Sequence, residues 1–436
     1  MANVKSLKIT SNGELSGVAS VPGDKSISHR AVMMAALSDG NSRITDCLMS
    51  EDVRATISAF RALGVEIREL EDDGVFVQGV GVDGLVKPKR PIDLGNSGTS
   101  MRLLCGILAG AGLPARLIGD NSLCSRPMKR IVDPLRLMGA EISGQPGIKP
   151  PLMIEQTPRL IGIEYEMPIA SAQVKSALIF AGLYANGVTS VLEPGVSRDH
   201  TERMLAKFGV SIDLSKSNCV KIEGGQRLSS NNLSIPKDFS SAAFFLVAAL
   251  ISSDSEITIP EVGINPTRVG LLDVLKRMGG DIRQVNERKV GGELVADLIV
   301  RSSKLFGIKV ESEIVPRMID EFPVLFIAAA CAEGETTVRG AEELRFKESD
   351  RISTVRTGLT SLGIKVKELA DGLEITGGTP SGGKVFAAGD HRVAMAFAAL
   401  AARARMPIEI VGPTGISTSF PTFQAVAHTV GLRVGT

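Results

Sequence analysis

The chain has 436 residues, with 49 lysines and arginines against 48 aspartates and glutamates. A net charge of +1 removes the electrostatic basis for a nucleic-acid binder or a membrane-surface protein, and no apolar run exceeds the ten residues of Ala242 to Ile251, about half a bilayer span. The length suits two or three domains with separate cores, while five scattered cysteines (Cys47, Cys105, Cys124, Cys219, Cys331) and four histidines without metal-ligand spacing point to reduced thiols, a cytoplasmic address and no zinc site.

Glycine, at 46 residues, stands above its usual share of about 7%, which directs attention to turns and internal repeats. Met1 to Val18 mixes polar and apolar residues without the apolar centre of a secretion signal. Val21-Pro22-Gly23 is a turn and a candidate crossing between domains. From about Ser26 the Ala-rich stretch SISHRAVMMAAL predicts a buried helix. A second helix ends in RALGVEI, where Gly64 closes it in the left-handed conformation and a strand of branched residues follows.

The same two signals return in phase along the chain. SGTSMRLLCGILA from Ser97 is followed by RLMGAEI around Gly139, and SAQVKSALIFAGL from Ser171 by AKFGVSI around Gly209. Asn231 to Lys237, NNLSIPK, is a second candidate crossing. Then SSAAFFLVAALI from Ser240 precedes KRMGGDI around Gly279, DEFPVLFIAAACA from Asp320 precedes TSLGIKV around Gly363, and DHRVAMAFAALAA from Asp390 precedes TVGLRV around Gly431. The helix starts are 69 to 80 residues apart and the glycines 68 to 84. Such units hold two helices and several strands each, which is βαβ-type alternation and the α/β class. Ser240 is read as a plain helix N-cap, without reactive neighbours.

The other helix starts carry more chemistry: Lys25, Ser26 and Arg30; Asn96, Gly98, Thr99 and Arg102; Ser171, Gln173 and Lys175; Asp320; and Asp390, His391 and Arg392. Helix N-termini present unpaired N–H groups and partial positive charge, so several together would form an anion pocket. Between them lie Arg126 in GDNSLCSRPM, Arg198 and His200 in GVSRDHTERM, and Lys347, Glu348, Asp350 and Arg351 in LRFKESDR. Seven cations (Lys25, Arg30, Arg126, Arg198, Lys347, Arg351, Arg392) fall in phase with the repeat, with the compensating acids expected mostly elsewhere. Guanidinium forks suit phosphate and carboxylate, so the expected ligands are small polyanions. VPGDKS is no phosphate loop, because Asp24 stands where GxxxxGK[ST] requires glycine.

GDKSISHR, LGNSGTSMR, SAQVKSAL, SRDHTERM, the Asp320 segment, LRFKESDR and GDHRVAM, in that order between Lys25 and Pro421, resemble the 5-enolpyruvylshikimate-3-phosphate synthase (3-phosphoshikimate 1-carboxyvinyltransferase) family. The resemblance implies two lobes, each an inside-out α/β barrel of three βαβαββ units with helices inside. Residues 22–236 would form lobe one, residues 1–21 with 237–436 lobe two, and the active site the cleft between them. It implies transfer of the enolpyruvyl group of phosphoenolpyruvate to the 5-hydroxyl of shikimate 3-phosphate with release of phosphate, without metal or organic cofactor, in a monomeric cytoplasmic enzyme that glyphosate targets.

Carried over position by position, Ser26, Arg30, Ser171, Ala172, Gln173 and Arg198 would hold shikimate 3-phosphate, with Lys347 and Asp320 on its shikimate moiety. Arg126, Arg351 and Arg392 would clamp phosphoenolpyruvate. Asn96, Gly98 and Thr99 would shape the phosphoenolpyruvate pocket beside Gln173, and Lys25 would touch both substrates. Asp320 is assigned as general base at the hydroxyl and Glu348 as proton donor to the methylene, with Lys25 able to share the hydroxyl's proton.

Thr418, Ala172 and His200 depart from the commoner pattern and resemble the family's second, glyphosate-tolerant class. Gly98 and Thr418 nevertheless point in opposite directions on sensitivity. The sister transferase acting on UDP-N-acetylglucosamine would show Lys-Asn at Lys25-Ser26 and a reactive cysteine in a Pro-Cys loop, which SLCSRPM around Cys124 does not match. A non-catalytic binder of acidic metabolites would have little use for Asp320 and Glu348 among its cations.

Overall fold

The computed structural model describes residues 6–11, 13–71 and 74–435. The chain divides into two compact units, a first of Gly23–Ile235 with Val290–Gly292 and a second of Met1–Pro22, Pro236–Lys289 and Glu293–Thr436. Each has a continuous apolar core of its own.

Among the described residues each unit carries three sheets built to one plan. In the first unit Ile92–Asp93 runs parallel to Ala115–Ile118, which pairs antiparallel with Lys149–Ile154, itself antiparallel to Ile142–Gln145. Glu164–Glu166, Val188–Leu192, Cys219–Glu223 and Ile212–Lys216 follow the same order. So do Leu228–Ser229, Ser38–Thr45, Val75–Val80 and Glu66–Glu69. In the second unit the plan recurs in Lys309–Val310, Glu335–Val338, Gly372–Thr376 and Lys365–Leu369. Gly383–Phe386, Ile408–Val411, Ser6–Ser11 and Leu432–Gly435 form another such sheet.

The Ala-rich stretches become the interior of each unit. Lys25–Leu37, Gly98–Gly110 and Ala172–Gly182 lie in the first, Phe239–Ile251, Phe322–Ala330 and His391–Leu400 in the second. Every residue of the latter three is buried, as helices apolar on all faces require. Close packing follows from small residues: a Cβ on Gly106 would stand 2.1 Å from the Ala177 carbonyl oxygen, so only glycine lets those two helices approach so nearly.

The six helix-closing glycines, Gly64, Gly139, Gly209, Gly279, Gly363 and Gly431, all have φ between 83° and 100°, the left-handed conformation their sequence context predicts. Helix starts depart from expectation at two places. The N-cap of Phe239–Ile251 is Asp238, which accepts from the backbone N–H groups of Ser240 and Ser241, so Ser240 is an interior residue rather than the cap. Asp320 lies ahead of Phe322–Ala330, whose N-cap is Glu321. No helix among the described residues is long and apolar enough to cross a membrane, and none of the five cysteines forms a disulfide.

Candidate active site

In the first unit, the start of Lys25–Leu37 is capped by Asp24, which accepts from Ile27 N–H. The Lys25 ammonium lies 3.0 Å from Oδ2 of Asp52. Arg30, 4% exposed, spans to two neighbouring helices: its Nε donates to Thr201 Oγ1 at 2.7 Å, its Nη2 to Ser176 Oγ at 2.8 Å and its Nη1 to the Ser26 carbonyl at 3.0 Å. The Ser176 hydroxyl donates to the Ala172 carbonyl at 2.6 Å. Ser26, Arg30, Ser171 and Ala172 therefore belong to one neighbourhood, at the capped start of Ala172–Gly182.

Gln173, the next residue, joins this neighbourhood to a second. Its Oε1 accepts from Arg102 Nη1 at 2.9 Å and its Nε2 donates to Thr99 Oγ1 at 3.1 Å. Arg126 donates from Nη2 to Asn96 Oδ1 at 2.7 Å, and Asn96 donates in turn to Asp120 Oδ2 at 2.7 Å. A Cβ on Gly98 would stand 2.8 Å from Arg102 Nη1 and 3.2 Å from Arg126 Nη1. Asn96, Gly98, Thr99, Arg126 and Gln173 thus share one cluster, with Arg102 at its centre. Arg198 is half-buried, one residue after Ser197, whose carbonyl accepts from Lys175.

Beneath both neighbourhoods runs a buried hydroxyl chain. His29 Nδ1 lies 2.7 Å from Thr56 Oγ1, Thr56 Oγ1 2.6 Å from Ser100 Oγ, and Ser100 Oγ 2.6 Å from Ser97 Oγ. Burial, helped by Lys25 and Arg30 against the pull of Asp52, lowers His29 to about 3, so it is a neutral link to Thr56 of the helix Glu51–Ala62 rather than a cation.

In the second unit Asp320, Glu348, Asp390 and Arg392 gather around the guanidinium of Arg351, and Lys347 lies beside Glu348 in the chain. Arg351 Nε lies 2.8 Å from Asp390 Oδ2, Nη2 2.7 Å from Glu348 Oε2 and Nη1 3.7 Å from Asp320 Oδ1. Arg392 reaches the same aspartate, with Nη2 3.6 Å from Oδ2 and Nη1 donating to the carbonyl at 3.3 Å. Lys347 pairs with Glu343 at 2.9 Å. Burial works against the charge on Arg351, but Asp390 and Glu348 outweigh it and raise the guanidinium above its ordinary value. Burial likewise works against an ionised Asp390, yet Arg351 holds its carboxyl below the usual range.

Two expectations are corrected by these contacts. The compensating acids are not elsewhere: Asp52, Glu343, Asp320, Glu348 and Asp390 each lie at contact distance from a predicted site cation. Nor is the neighbourhood of Ser240 inert, since buried Arg268 contacts its hydroxyl and pairs with Glu321 at 2.7 Å and Asp238 at 3.3 Å. Arg102, Thr201 and Asp52 are site neighbours that no role had been given; Arg102 and Thr201 lie inside the quoted motifs, whereas nothing local marks Asp52.

The arrangement offers anion-binding guanidiniums beside half-buried carboxylates that can take and return protons. Among the described residues no group of three or more His, Cys, Asp or Glu side chains is placed to hold a metal ion.

Comparison with known proteins agrees with this chemistry. The 3-phosphoshikimate 1-carboxyvinyltransferase of Alkalilimnicola ehrlichii is 54% identical over 97% of this chain and 95% of that protein, and that of Methylococcus capsulatus 52% over 97% and 96%. The solved structure of EPSP synthase from Acinetobacter baumannii superposes with a TM-score of 0.88 at 44% identity, covering 99% of both chains. The enolpyruvyl transferase NikO from Streptomyces tendae, at 18% identity and TM-score 0.78 over 99% of this chain and 98% of that one, shares the fold. With the sequence profile of EPSP synthase (3-phosphoshikimate 1-carboxyvinyltransferase) matching residues 9–426, the chain belongs to that family.

Proposed function

We propose that this chain moves the enolpyruvyl group of phosphoenolpyruvate onto the 5-hydroxyl of shikimate 3-phosphate and releases phosphate. The observation that carries the reading is the pair of carboxylates, Asp320 and Glu348, on the one guanidinium of Arg351. Carboxylates weaken a purely anion-binding site, but they are what proton traffic requires.

In the addition step the hydroxyl oxygen bonds to the central carbon of phosphoenolpyruvate, Asp320 accepts the hydroxyl proton with Lys25 able to share it, and Glu348 delivers a proton to the methylene carbon. In the elimination step the methyl carbon returns a proton to Glu348, the carbon–oxygen bond to phosphate breaks, and the departing phosphate takes up the proton held by Asp320. Arg126, Arg351 and Arg392 would clamp phosphoenolpyruvate beside Asn96, Gly98, Thr99 and Gln173. Ser26, Arg30, Ser171, Ala172, Gln173, Arg198 and Lys347 would hold shikimate 3-phosphate. Guanidinium forks match phosphate and carboxylate bidentately, which accounts for the arginine-rich set.

A coupled assay of phosphate release tests this reading. Release should require both substrates together, and Asp320→Ala should lower kcat about 10²- to 10⁴-fold, the usual contribution of a positioned acid or base. No release from the unaltered protein with both substrates present would overturn the function, and undiminished turnover in Asp320→Ala would overturn the role of Asp320.

A further inference from the structure

Lys175 lies two residues after Gln173 on the buried helix Ala172–Gly182, with its side chain 2% exposed. Its Nζ stands 2.6 Å from Glu193 Oε1 and 2.7 Å from Glu202 Oε1, and it donates to the Ser197 carbonyl at 3.4 Å. An ammonium has three N–H donors and no acceptor. Here all three are directed at one stretch of chain, 193–202, at its beginning, middle and end.

Glu193 follows the strand Val188–Leu192, and Glu202 belongs to the helix His200–Lys207. Thr201, beside Glu202, touches both Arg30 Nε and Ser176 Oγ. The segment is therefore tied at one end to the Arg30 neighbourhood, and in its middle to Lys175 immediately before Arg198. Burial works against the Lys175 charge, but Glu202 and Glu193 outweigh it and raise its pKa; burial raises that of Glu202 against the pull of Lys175.

Stability alone does not account for this cluster. Two carboxylates on one ammonium at 1–2% exposure lose hydration that their attraction barely offsets, and apolar side chains of the same volume serve as well or better. What apolar packing lacks is direction. We infer that Lys175 is a positioning residue, a three-point buckle that folds segment 193–202 so that Arg198 is presented to the phosphate of shikimate 3-phosphate. The inference rests on the proposed function for what Arg198 binds, but not for the buckle itself.

Removing Lys175 alone would leave buried carboxylates unpaired and unfold much of the unit. The test is the charge-free triple variant Lys175→Met, Glu193→Met, Glu202→Met, which replaces the buried charges with apolar side chains of similar length without restoring the three-point hold. Its melting temperature should equal or exceed that of the unaltered protein, while KM for shikimate 3-phosphate rises about tenfold or more, the worth of a charge-assisted contact. KM for phosphoenolpyruvate and kcat should stay within about twofold, because Arg126, Arg351 and Arg392 lie on other elements and Gln173, though on the same helix, is held by its own contacts with Arg102 and Thr99.

Hydrogen exchange of the 195–199 amides should quicken about tenfold in the same variant, as expected for a released local segment. Restored stability with unchanged KM and unchanged exchange would reduce the cluster to packing and overturn the inference, and so would an equal rise in both KM values. If the triple variant does not fold, Glu193→Gln, which keeps the shape but removes one charged anchor, decides by the same criteria. If the unaltered protein releases no phosphate the functional reading fails, while the exchange comparison still decides the buckle.

Discussion

The Nε of Arg351 lies 2.8 Å from Oδ2 of Asp390, with side chains 1% and 0% exposed. Arg351 opens the helix Arg351–Ser361, and Asp390 caps His391–Leu400 by accepting from Arg392 and Val393 N–H. One buried ion pair thus sets two helix starts, and with them the directions in which Arg351 and Arg392 leave the backbone. Asp390→Asn keeps a capping side chain but removes the charge. It should cost about 3 kcal/mol, the usual loss when one partner of a buried pair is deleted. A denaturant midpoint unchanged from that of the unaltered protein would contradict the structural role.

The neutral state of His29 makes a pH prediction. Its pKa falls from 6.5 unfolded to about 3 folded, so between those values the unfolded chain binds a proton that the folded one refuses. The stability contribution is full above about 6.5 and is lost as pH falls toward about 3, by up to about 1.4 kcal/mol per pH unit. His29→Gln should flatten this loss, so that the stability difference between pH 7 and pH 5 shrinks by about 2 kcal/mol. Denaturant unfolding of both proteins at the two pH values measures it, and parallel curves would refute it.

Gly98 begins its helix without a left-handed φ, so alanine fits the backbone. The added methyl would press on the ends of the Arg102 and Arg126 side chains, 2.8 and 3.2 Å away, which can move at small cost. Gly98→Ala should therefore fold normally but disturb the Arg126–Asn96 contact. KM for phosphoenolpyruvate should rise about tenfold, as for one weakened charge-assisted hydrogen bond, while KM for shikimate 3-phosphate changes little. Steady-state kinetics with each substrate varied in turn distinguishes the two.

Cys124 donates from Sγ to the Gly119 carbonyl at 3.3 Å, in the short helix Asn121–Ser125 that precedes Arg126. Serine can make the same bond, so Cys124→Ser should leave phosphate release within about twofold of the original. A loss of two orders of magnitude would instead favour the thiol-dependent sister reaction on UDP-N-acetylglucosamine.

Much of the architecture was legible in the residues themselves. A helix apolar all round must be buried, and a glycine after a helix followed by branched residues must close it left-handed; both signals are local, and both hold in the structure. The family resemblance put Arg126 with Asn96 and Gln173 with Thr99, and these pairs are in contact, with Asn96, Thr99 and Gln173 near helix starts and Arg126 at the end of Asn121–Ser125.

What composition and spacing left undetermined were the partners. Asp390 is 39 residues from Arg351, Asp52 is 27 from Lys25, and Glu321 is 53 from Arg268. A charge in a sequence carries no record of which distant charge will face it, so the acids seemed remote from the cations and Lys175 was grouped with Ser171 and Gln173 as part of an anion pocket. Propensity and hydrophobic period are properties of short stretches and can be read from them. Compensation of buried charge is a property of distance in space, and only the folded chain determines it.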